Sequence, residues 1–265
     1  MGYLSRRRAL NTAQGTAGLQ WLYDLAWSHR VMPRPKPYDA APGGVDVWQS
    51  GLAALEMAQC LAERRHGGET GVASVQCLTG EVFWEALRSG SRWSRDLETA
   101  ALAVAQHGPG TPRDHYAARF AQAHQAAGAE GVARRESSEP AIFLIEHRDG
   151  LRVSVLMLNG YVTQRGAAVR VRGESEPLAA CFTQARQQPL WHFDHQADYI
   201  ERLIETGAEP YPVERSLLTT GMVDAVMTSR FEGGRRLETP HLDVVYASLM
   251  EPPFHVRSFT VPRPR

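Results

Sequence analysis

The chain has 265 residues, 43% of them apolar, and its 29 basic and 29 acidic residues give no formal net charge. This apolar content suffices for a folded core, and a neutral chain lacks the field that attracts nucleic acid or an anionic membrane. No apolar run approaches the ~20 residues of a membrane span. Cys60, Cys77 and Cys181 lie far apart without a CxxC pair, which favours buried thiols over a disulfide framework or a zinc ribbon.

Residues 1–42 are predicted to be a separate segment. It starts with Arg6–Arg8, and Leu19, Leu22 and Leu25 follow at helical spacing, which favours an amphipathic helix with a basic start. A twin-arginine export signal is the alternative, so we expect a cytoplasmic protein with export left open. Four prolines in residues 31–44 exclude regular structure there and predict an extended arm.

Residues 43–265 are predicted to form one domain, which begins with a helix over Trp48–Arg65 and a strand over Thr70–Leu78. A short helix follows and ends at Gly90. Two alanine-rich helices are then expected between Leu97 and Gly128, with Asp114 as the cap of the second.

The β signal is clearest in residues 139–160, where Asp149-Gly150 separates two apolar runs and predicts a hairpin with a type I′ turn. The second arm becomes wholly apolar, which predicts a central strand. Residues 167–173 and 178–184 predict two more short strands in a meander. The sheet is therefore expected to be mostly antiparallel.

The last part of the domain predicts two helices and two strands. A helix ending at Gly207 presents Phe193, Ala197, Ile200 and Ile204 on one face. A second helix starts at Pro212 and ends at Gly233-Gly234; its apolar stripe contains Leu218, Met222, Ala225, Val226 and Ser229. Residues 241–249 and 254–261 predict terminal strands. The fold class is α+β, with a mostly antiparallel, open-faced sheet and helices mainly on one face.

Residues 199–238, YIERLIETGAEPYPVERSLLTTGMVDAVMTSRFEGGRRLE, resemble the end of the glucose-fructose oxidoreductase/inositol dehydrogenase (Gfo/Idh/MocA) family. The residues that match the family pattern are Gly207, Pro210, Ala225, Ser229, Gly234 and Leu237. The resemblance extends in element order over about 200 residues and implies the substrate-binding half of such an oxidoreductase.

The redox parts of that family are not found in this sequence. A Rossmann domain would carry a G-x-G-x-x-G turn, which is absent, and ~30 residues are needed for a single βαβ unit. The only lysine is Lys36, so the lysine of the family's E-K-P motif has no counterpart. The family's acid and histidine proton relay aligns with Gln49 and Ala53, and neither residue can shuttle a proton. We therefore predict no catalytic residues, no bound cofactor and no resident metal; NAD(P) would enter only with a separate nucleotide domain.

Several polar residues are candidates for binding a small sugar or polyol, as the resemblance implies. They are His192, Asp194, His195, Asn159, Tyr161, His241 and Arg235. Each has a simpler structural explanation, as a cap, a turn or a solvated charge. His192 and His195 are three residues apart and could reach one metal ion from a helix face, with His241 or Asp243 as a further ligand.

The resulting hypothesis is an oxidoreductase-like protein that binds a small sugar or polyol, or serves as an assembly partner, without hydride transfer alone. A metal-dependent isomerase or lyase acting on a sugar-derived substrate, and the substrate subunit of a split NAD(P)-dependent dehydrogenase, are the alternatives. A homo-oligomer is expected because the open sheet face would need a cover.

Overall fold

The computed structural model describes residues 44–105, 107–125, 140–158, 161–162, 165–182, 199–201, 203–207, 209 and 211–247. In chain order the elements are α1 (Gly44–Ala62), β1 (Val72–Thr79), α2 (Gly80–Ser89), α3 (Arg95–Val104), α4 (Pro112–Gln125), β2 (Ala141–His147), β3 (Arg152–Met157), β4 (Arg165–Val169), β5 (Leu178–Phe182), α5 (Val213–Phe231), β6 (Leu237–Glu238) and a 3-10 turn (Pro240–Leu242). The strands form two open sheets, one in the order β3-β2-β1-β6 and the other containing β4 and β5. All of these strand pairs are antiparallel, which confirms the α+β prediction.

The main core lies between the four-stranded sheet and the two longest helices, α1 and α5. Alternate strand residues, such as Val75 and Cys77 of β1 and Phe143 of β2, point to this side because successive side chains of a strand face opposite ways. The predicted stripe of α5 faces them, and all five of its residues are buried. Gly51 of α1 allows this close packing, since a Cβ there would lie 3.1 Å from the ring of Phe143.

The opposite face of the sheet has an apolar half and a polar half. The apolar half contains Leu78 and Ile142, and it packs against Phe83 of α2, Trp93 and Tyr116 of α4 in a second buried cluster. The polar half contains Ser74, Gln76, Glu146, Arg152 and Ser154. The sequence predicted an apolar open face. In the structure the apolar half of this face is covered by the second cluster. The homo-oligomer prediction thus loses its original physical reason and stays a prediction.

The strand order differs from two of the sequence predictions. β3 is the edge strand of its sheet rather than a central one, and β1 and β2 occupy the centre. The predicted short strands exist as β4 and β5, but they pair only with each other in the described residues. Gly166 of β4 lies so close to the carbonyl of Ala101 in α3 that a side chain would not fit, which explains how α3 packs on this ribbon. The apolar character of β3 reflects burial against α1 and the second cluster.

The hairpin between β2 and β3 is confirmed, but its turn is longer than predicted. The amide of Gly150 donates to the carbonyl of His147 at 3.0 Å, and the amide of His147 donates to the carbonyl of Leu151 at 2.8 Å. Gly150 has a φ of 87°. These bonds define a three-residue loop with a left-handed glycine rather than a two-residue type I′ turn.

The cap of α4 is Thr111 rather than Asp114. The Thr111 hydroxyl accepts from the Asp114 amide at 3.2 Å, and an Asp114 carboxylate oxygen accepts from the Thr111 amide at 3.2 Å. This reciprocal pair is a capping box, with the acidic residue three positions inside the helix. The hydrogen bonds from Thr111 lower the pKa of Asp114.

Two other predictions near the C-terminus are wrong. Residues 199–201 and 203–206 are helical and Gly207 has the left-handed conformation of a C-cap, but Ile200 and Ile204 point to solvent and Tyr199 is the buried residue. Residues 241–247 are not a regular strand: after the 3-10 turn only Tyr246 forms a β-bridge, to Glu69. Residues 254–261 lie outside the described part of the chain, as do Phe193 and Ala197.

Residues 239–247, here called the C-terminal strap, are held against the start of β1. The Thr239 hydroxyl donates to the carbonyl of Val72 at 2.8 Å, and the Thr239 amide donates to the carbonyl of Ala73 at 2.9 Å. Further along, the Glu69 amide donates to the carbonyl of Tyr246 at 3.2 Å. The strap therefore continues the pairing that β6 begins.

Ser229 joins α5 to the sheet. Its hydroxyl accepts from the Cys77 amide at 2.9 Å and donates to the carbonyl of Arg235 at 2.6 Å. The amides of Gly233 and Gly234 donate to the carbonyls of Arg230 and Ser229, which is a Schellman ending. Since β6 has only two residues, Ser229 satisfies the β1 amide that β6 does not reach.

We predict that Ser229→Ala lowers the free energy of unfolding by about 1–3 kcal/mol, because it leaves the buried Cys77 amide without an acceptor. Urea titration followed by circular dichroism measures the change. Ser91→Ala is the matched control, since the Ser91 hydroxyl contacts only the exposed Ser89 hydroxyl; equal effects of the two substitutions would contradict the assigned role.

Candidate functional site

A buried charged network connects α1, α5 and the C-terminal strap. Glu56 and Gln59 lie on one face of α1, and Glu63, in the turn directly after it, continues that face, because residues separated by three, four or seven positions share a helix face. Arg215 lies in the first turn of α5 and points toward that face. All four side chains are at most 3% exposed.

Arg215 binds both glutamates of α1. Its Nε donates to Glu63 Oε2 at 2.9 Å, its Nη1 is bonded to Glu56 Oε2, and its Nη2 donates to the carbonyl of Glu56 at 3.0 Å. Burial alone would lower the pKa of Arg215, but the charges of Glu56 and Glu63 outweigh it and raise that pKa. The guanidinium is therefore a permanent cation in the interior.

Tyr246 extends the network into the C-terminal strap. Its hydroxyl donates to Glu63 Oε2 at 2.8 Å and accepts from Gln59 Nε2 at 2.8 Å. Burial and the Glu63 charge raise the pKa of Tyr246, so its hydroxyl remains a donor. Gln59 Nε2 also donates to Glu69 Oε2 at 2.5 Å, which passes the network on to the start of β1.

Glu69 is the most heavily hydrogen-bonded carboxylate of the network. Oε1 accepts from the amides of Thr70 and Gly71 at 2.8 Å each and lies 3.0 Å from His147 Nδ1. Arg65 contacts both oxygens at 3.3 Å and reaches the surface at Asp149. Burial would raise the pKa of Glu69, but the hydrogen bonds and charges of His147, Arg65 and Gln59 lower it to about 2.

These contacts predict a loss of stability in acid. A carboxyl whose folded pKa lies below its unfolded value stabilises the fold above the unfolded pKa, here near 4.5, and loses that contribution as the pH falls toward 2. The loss is on the order of 3 kcal/mol for a shift of this size. Unfolding free energies measured between pH 6 and pH 2.5 give the slope, and Glu69→Gln should flatten it; an unchanged slope would contradict the assignment.

The chemistry of this network is structural. Its groups are sequestered from solvent and, in the described residues, nearly all their polar atoms are paired; the exception among the carboxylates is Glu56 Oε1, which is buried without a hydrogen-bond partner. The network is not among the sequence predictions. The available signal was the spacing of Glu56, Gln59 and Glu63 on the apolar face of α1.

A second polar cluster surrounds Tyr161, where the chain follows β3. The Tyr161 ring stacks on His107 with centroids 5.3 Å apart and meets His115 edge-on at 5.4 Å. The Tyr161 hydroxyl donates to the carbonyl of Gly110 at 2.7 Å, and the Tyr161 carbonyl accepts from the Gly108 amide at 2.7 Å. These bonds hold His107, in the loop before α4, and His115, in the first turn of α4, against the ring.

The two histidines of this cluster offer uncommitted nitrogens. His107 is exposed, and its Nδ1 lies 2.8 Å from the carbonyl of Gly108, so Nδ1 carries the proton and Nε2 presents a lone pair. His115 is half-buried, and its Nε2 is buried without a hydrogen-bond partner in the part of the chain that the structure describes. A buried polar atom without a partner costs about 1–3 kcal/mol, which a bound water or ligand hydroxyl would recover.

The predicted site residues have different surroundings. Tyr161 is 2% exposed and its hydroxyl is already engaged, so it can support a site by holding His107 and His115 but has little surface of its own to offer. Arg235 is exposed and paired with Glu232, and His241 is exposed in the 3-10 turn. Asn159, His192, Asp194 and His195 lie outside the described residues. Their binding roles therefore stay predictions.

Metal-binding, thiol and membrane features were also assessed in the described residues. No group of three or more His, Cys, Asp or Glu side chains there could hold a metal ion. Cys60, Cys77 and Cys181 are buried, as expected, and burial raises the pKa of Cys60 to about 11 and that of Cys77 to about 12. Within the same ranges, none of the helices combines the length and apolar character needed to cross a membrane.

Comparison with known proteins gave no match. No protein-family model, no curated protein and no solved structure is significantly similar to the chain.

Proposed function

We propose that this chain is a substrate-binding domain of the Gfo/Idh/MocA type, which binds a small sugar or polyol and performs no hydride transfer alone. Hydride transfer would need a separate nucleotide-binding domain. The observation that supports this proposal most is the joint between α5 and the sheet. Ser229, Gly234 and Leu237, three of the residues that match the family pattern, lie in this joint.

Each of the three matching residues has a physical task there. Ser229 satisfies a β1 amide. Gly234 has a φ of 89°, and a Cβ on it would lie 3.2 Å from the carbonyl of Cys77. Leu237 pairs with Val75 of β1. Three matching residues that one local geometry requires support a related fold. Three matching residues scattered over the surface would support it less.

The cluster of Tyr161, His107 and His115 is the ligand site that we favour. Small-molecule sites combine an apolar wall with a few uncommitted polar groups. Here the exposed ring of His107, stacked on the buried ring of Tyr161, forms the wall, and His115 Nε2 lacks a partner among the described residues. A hydroxyl group both donates and accepts, so it can bond to this nitrogen in either tautomer.

The proposal is tested by ligand-observed NMR on the full chain with a panel of sugars and polyols at millimolar concentration. We expect saturation transfer to at least one compound, and loss of that signal in His115→Ala. His66→Ala is the matched control, because His66 is exposed at the end of α1 and should leave the signal unchanged. Absence of transfer to every compound, or a signal that survives His115→Ala, would overturn the assignment of the site.

Nucleotide titration tests the other half of the proposal. Trp84 and Trp93 lie beside the proposed site and report on binding through their fluorescence. We expect no saturable response to NAD(H) or NADP(H). Micromolar binding of either by the chain alone would show that it houses its own dinucleotide site.

A further inference from the structure

The helical residues before Gly207 and the first turns of α5 together expose an unusual number of large apolar side chains. The exposed residues are Ile200 (51%), Leu203 (42%), Ile204 (77%), Val213 (61%) and Leu217 (59%). Glu201, Glu205, Glu209 and Glu214 lie among them and are also exposed. We call these nine residues the acidic-apolar surface.

The two halves of this surface are anchored to the same part of α1. Tyr199 and Tyr211 are packed in one cluster with Met57 and Cys60. Ile200, Leu203 and Ile204 are spaced to share one helix face, and Val213 and Leu217 are spaced to share another. The surface therefore flanks the C-terminal part of α1.

Its composition specifies the kind of partner it fits. Contiguous exposed aliphatic groups on a folded domain indicate a binding surface. Among the described residues, none of the four glutamates takes part in an ion pair. Arg202 of the same stretch lies outside those residues. The complementary partner is an amphipathic helix with an apolar stripe and basic ends.

We propose that residues 5–30 of this same chain occupy the acidic-apolar surface. Residues 1–30 contain four arginines and one aspartate, with Arg6–Arg8 at one end and Arg30 at the other. Leu19, Leu22 and Leu25 supply the stripe. The N-terminal segment thus carries positive charge that complements the four glutamates. Its apolar stripe matches the exposed aliphatic side chains of the surface.

The connection is long enough for this docking. Residues 31–43 contain four prolines and span about 40 Å when extended at ~3.1 Å per residue. Cys60 lies 16 residues along α1 from Gly44, which is about 24 Å at 1.5 Å per residue. The proline-rich arm can therefore run back along α1 and bring residues 5–30 to the surface beside Met57 and Cys60.

Hydrogen exchange of the full chain, followed by mass spectrometry, tests the docking. We expect residues 19–29 and 200–217 to be protected together, and Leu22→Asp with Leu25→Asp to speed exchange in both by about tenfold. Gln20→Asp with Ser28→Asp adds the same charge off the stripe and should have little effect. Ile204→Asp with Leu217→Asp should release residues 19–29, while unchanged exchange in β1 and β2 confirms folding.

A charge swap makes the test specific. Glu201→Arg with Glu205→Arg should weaken the protection of residues 19–29, and Arg7→Glu with Arg8→Glu should restore it in the combined variant. Unprotected exchange of residues 19–29 in the wild-type chain would overturn the proposal. Protection that disappears on dilution, together with a dimer in sedimentation, would overturn it in favour of a second copy as the occupant. A third outcome is that the wild-type chain co-sediments with anionic vesicles and exchanges faster at residues 200–217 in their presence. That result would overturn the proposal in favour of a lipid surface as the partner of the basic segment.

Discussion

Replacement of Arg215 by methionine is expected to lower the free energy of unfolding by about 3–5 kcal/mol, because it leaves the buried Glu56 without a cation and the buried Glu63 with only Arg64. Glu56 and Glu63 are both bonded to this guanidinium, and neither can reach water in the folded state. Urea unfolding monitored by circular dichroism at neutral pH measures the loss. If Arg215→Met does not fold, Arg215→Lys keeps the charge without the forked geometry and should give an intermediate loss.

Arg236 is the matched control for this experiment. It also bridges two glutamates, since its Nη2 lies 3.0 Å from Glu146 Oε2 and its Nε lies 3.3 Å from Glu238 Oε1. It is exposed, however, so Arg236→Met should cost no more than about 1 kcal/mol. Similar losses at the two positions would show that burial does not determine how much these ion pairs contribute to the free energy of unfolding.

Gly71→Ala is predicted to lower the free energy of unfolding by about 3 kcal/mol or more. Gly71 has a φ of 86°, and a Cβ there would lie 2.7 Å from the carbonyl oxygen of Leu242 and 3.0 Å from the amide nitrogen of Val244. Both neighbours are backbone atoms of the C-terminal strap, so neither can move aside as a side chain would. The strap must shift, and Thr239 and Tyr246 would lose their hydrogen bonds.

Gly67→Ala separates this contact from backbone strain. Gly67 has nearly the same φ, 90°, but an added Cβ would meet nothing within 4 Å. Its loss should be limited to the strain of a left-handed alanine, about 1–2 kcal/mol. Thermal unfolding of the two variants gives the difference, and equal losses would mean that the strap does not press on Gly71.

The sequence predicted the elements whose signals are local. α5 follows from Pro212, its apolar stripe and the Gly233-Gly234 ending, and α2 ends at Gly90 with a φ of 64° as expected. Strand order was not predictable in the same way. β3 looked central because its residues are apolar, but that character comes from helices packed on its two faces and not from strands on both edges.

The candidate site was predictable only in part. Tyr161 was singled out from its position after an apolar run, whereas His107 and His115 were not, because they reach it from the loop before α4 and from its first turn. The charged network was missed since its members are separated by long stretches of sequence: Arg215 is 152 residues from Glu63, and Tyr246 is 183 residues from it. Pairing over such distances depends on tertiary packing and leaves no local pattern.

The spacing of the charged network bears on how the chain is made. During synthesis α1, with Glu56 and Glu63, leaves the ribosome roughly 8–30 seconds before Arg215 emerges, at the usual ~5–20 residues per second. Until then Glu56 has no cation to enter the interior with and Glu63 has only its neighbour Arg64, so α1 cannot fully bury its polar face. The sheet can begin to assemble, but α1 can dock only after α5 and the strap have appeared. Native packing of α1 is therefore expected only after α5 and the strap have been synthesised, and α1 stays exposed to chaperones until then.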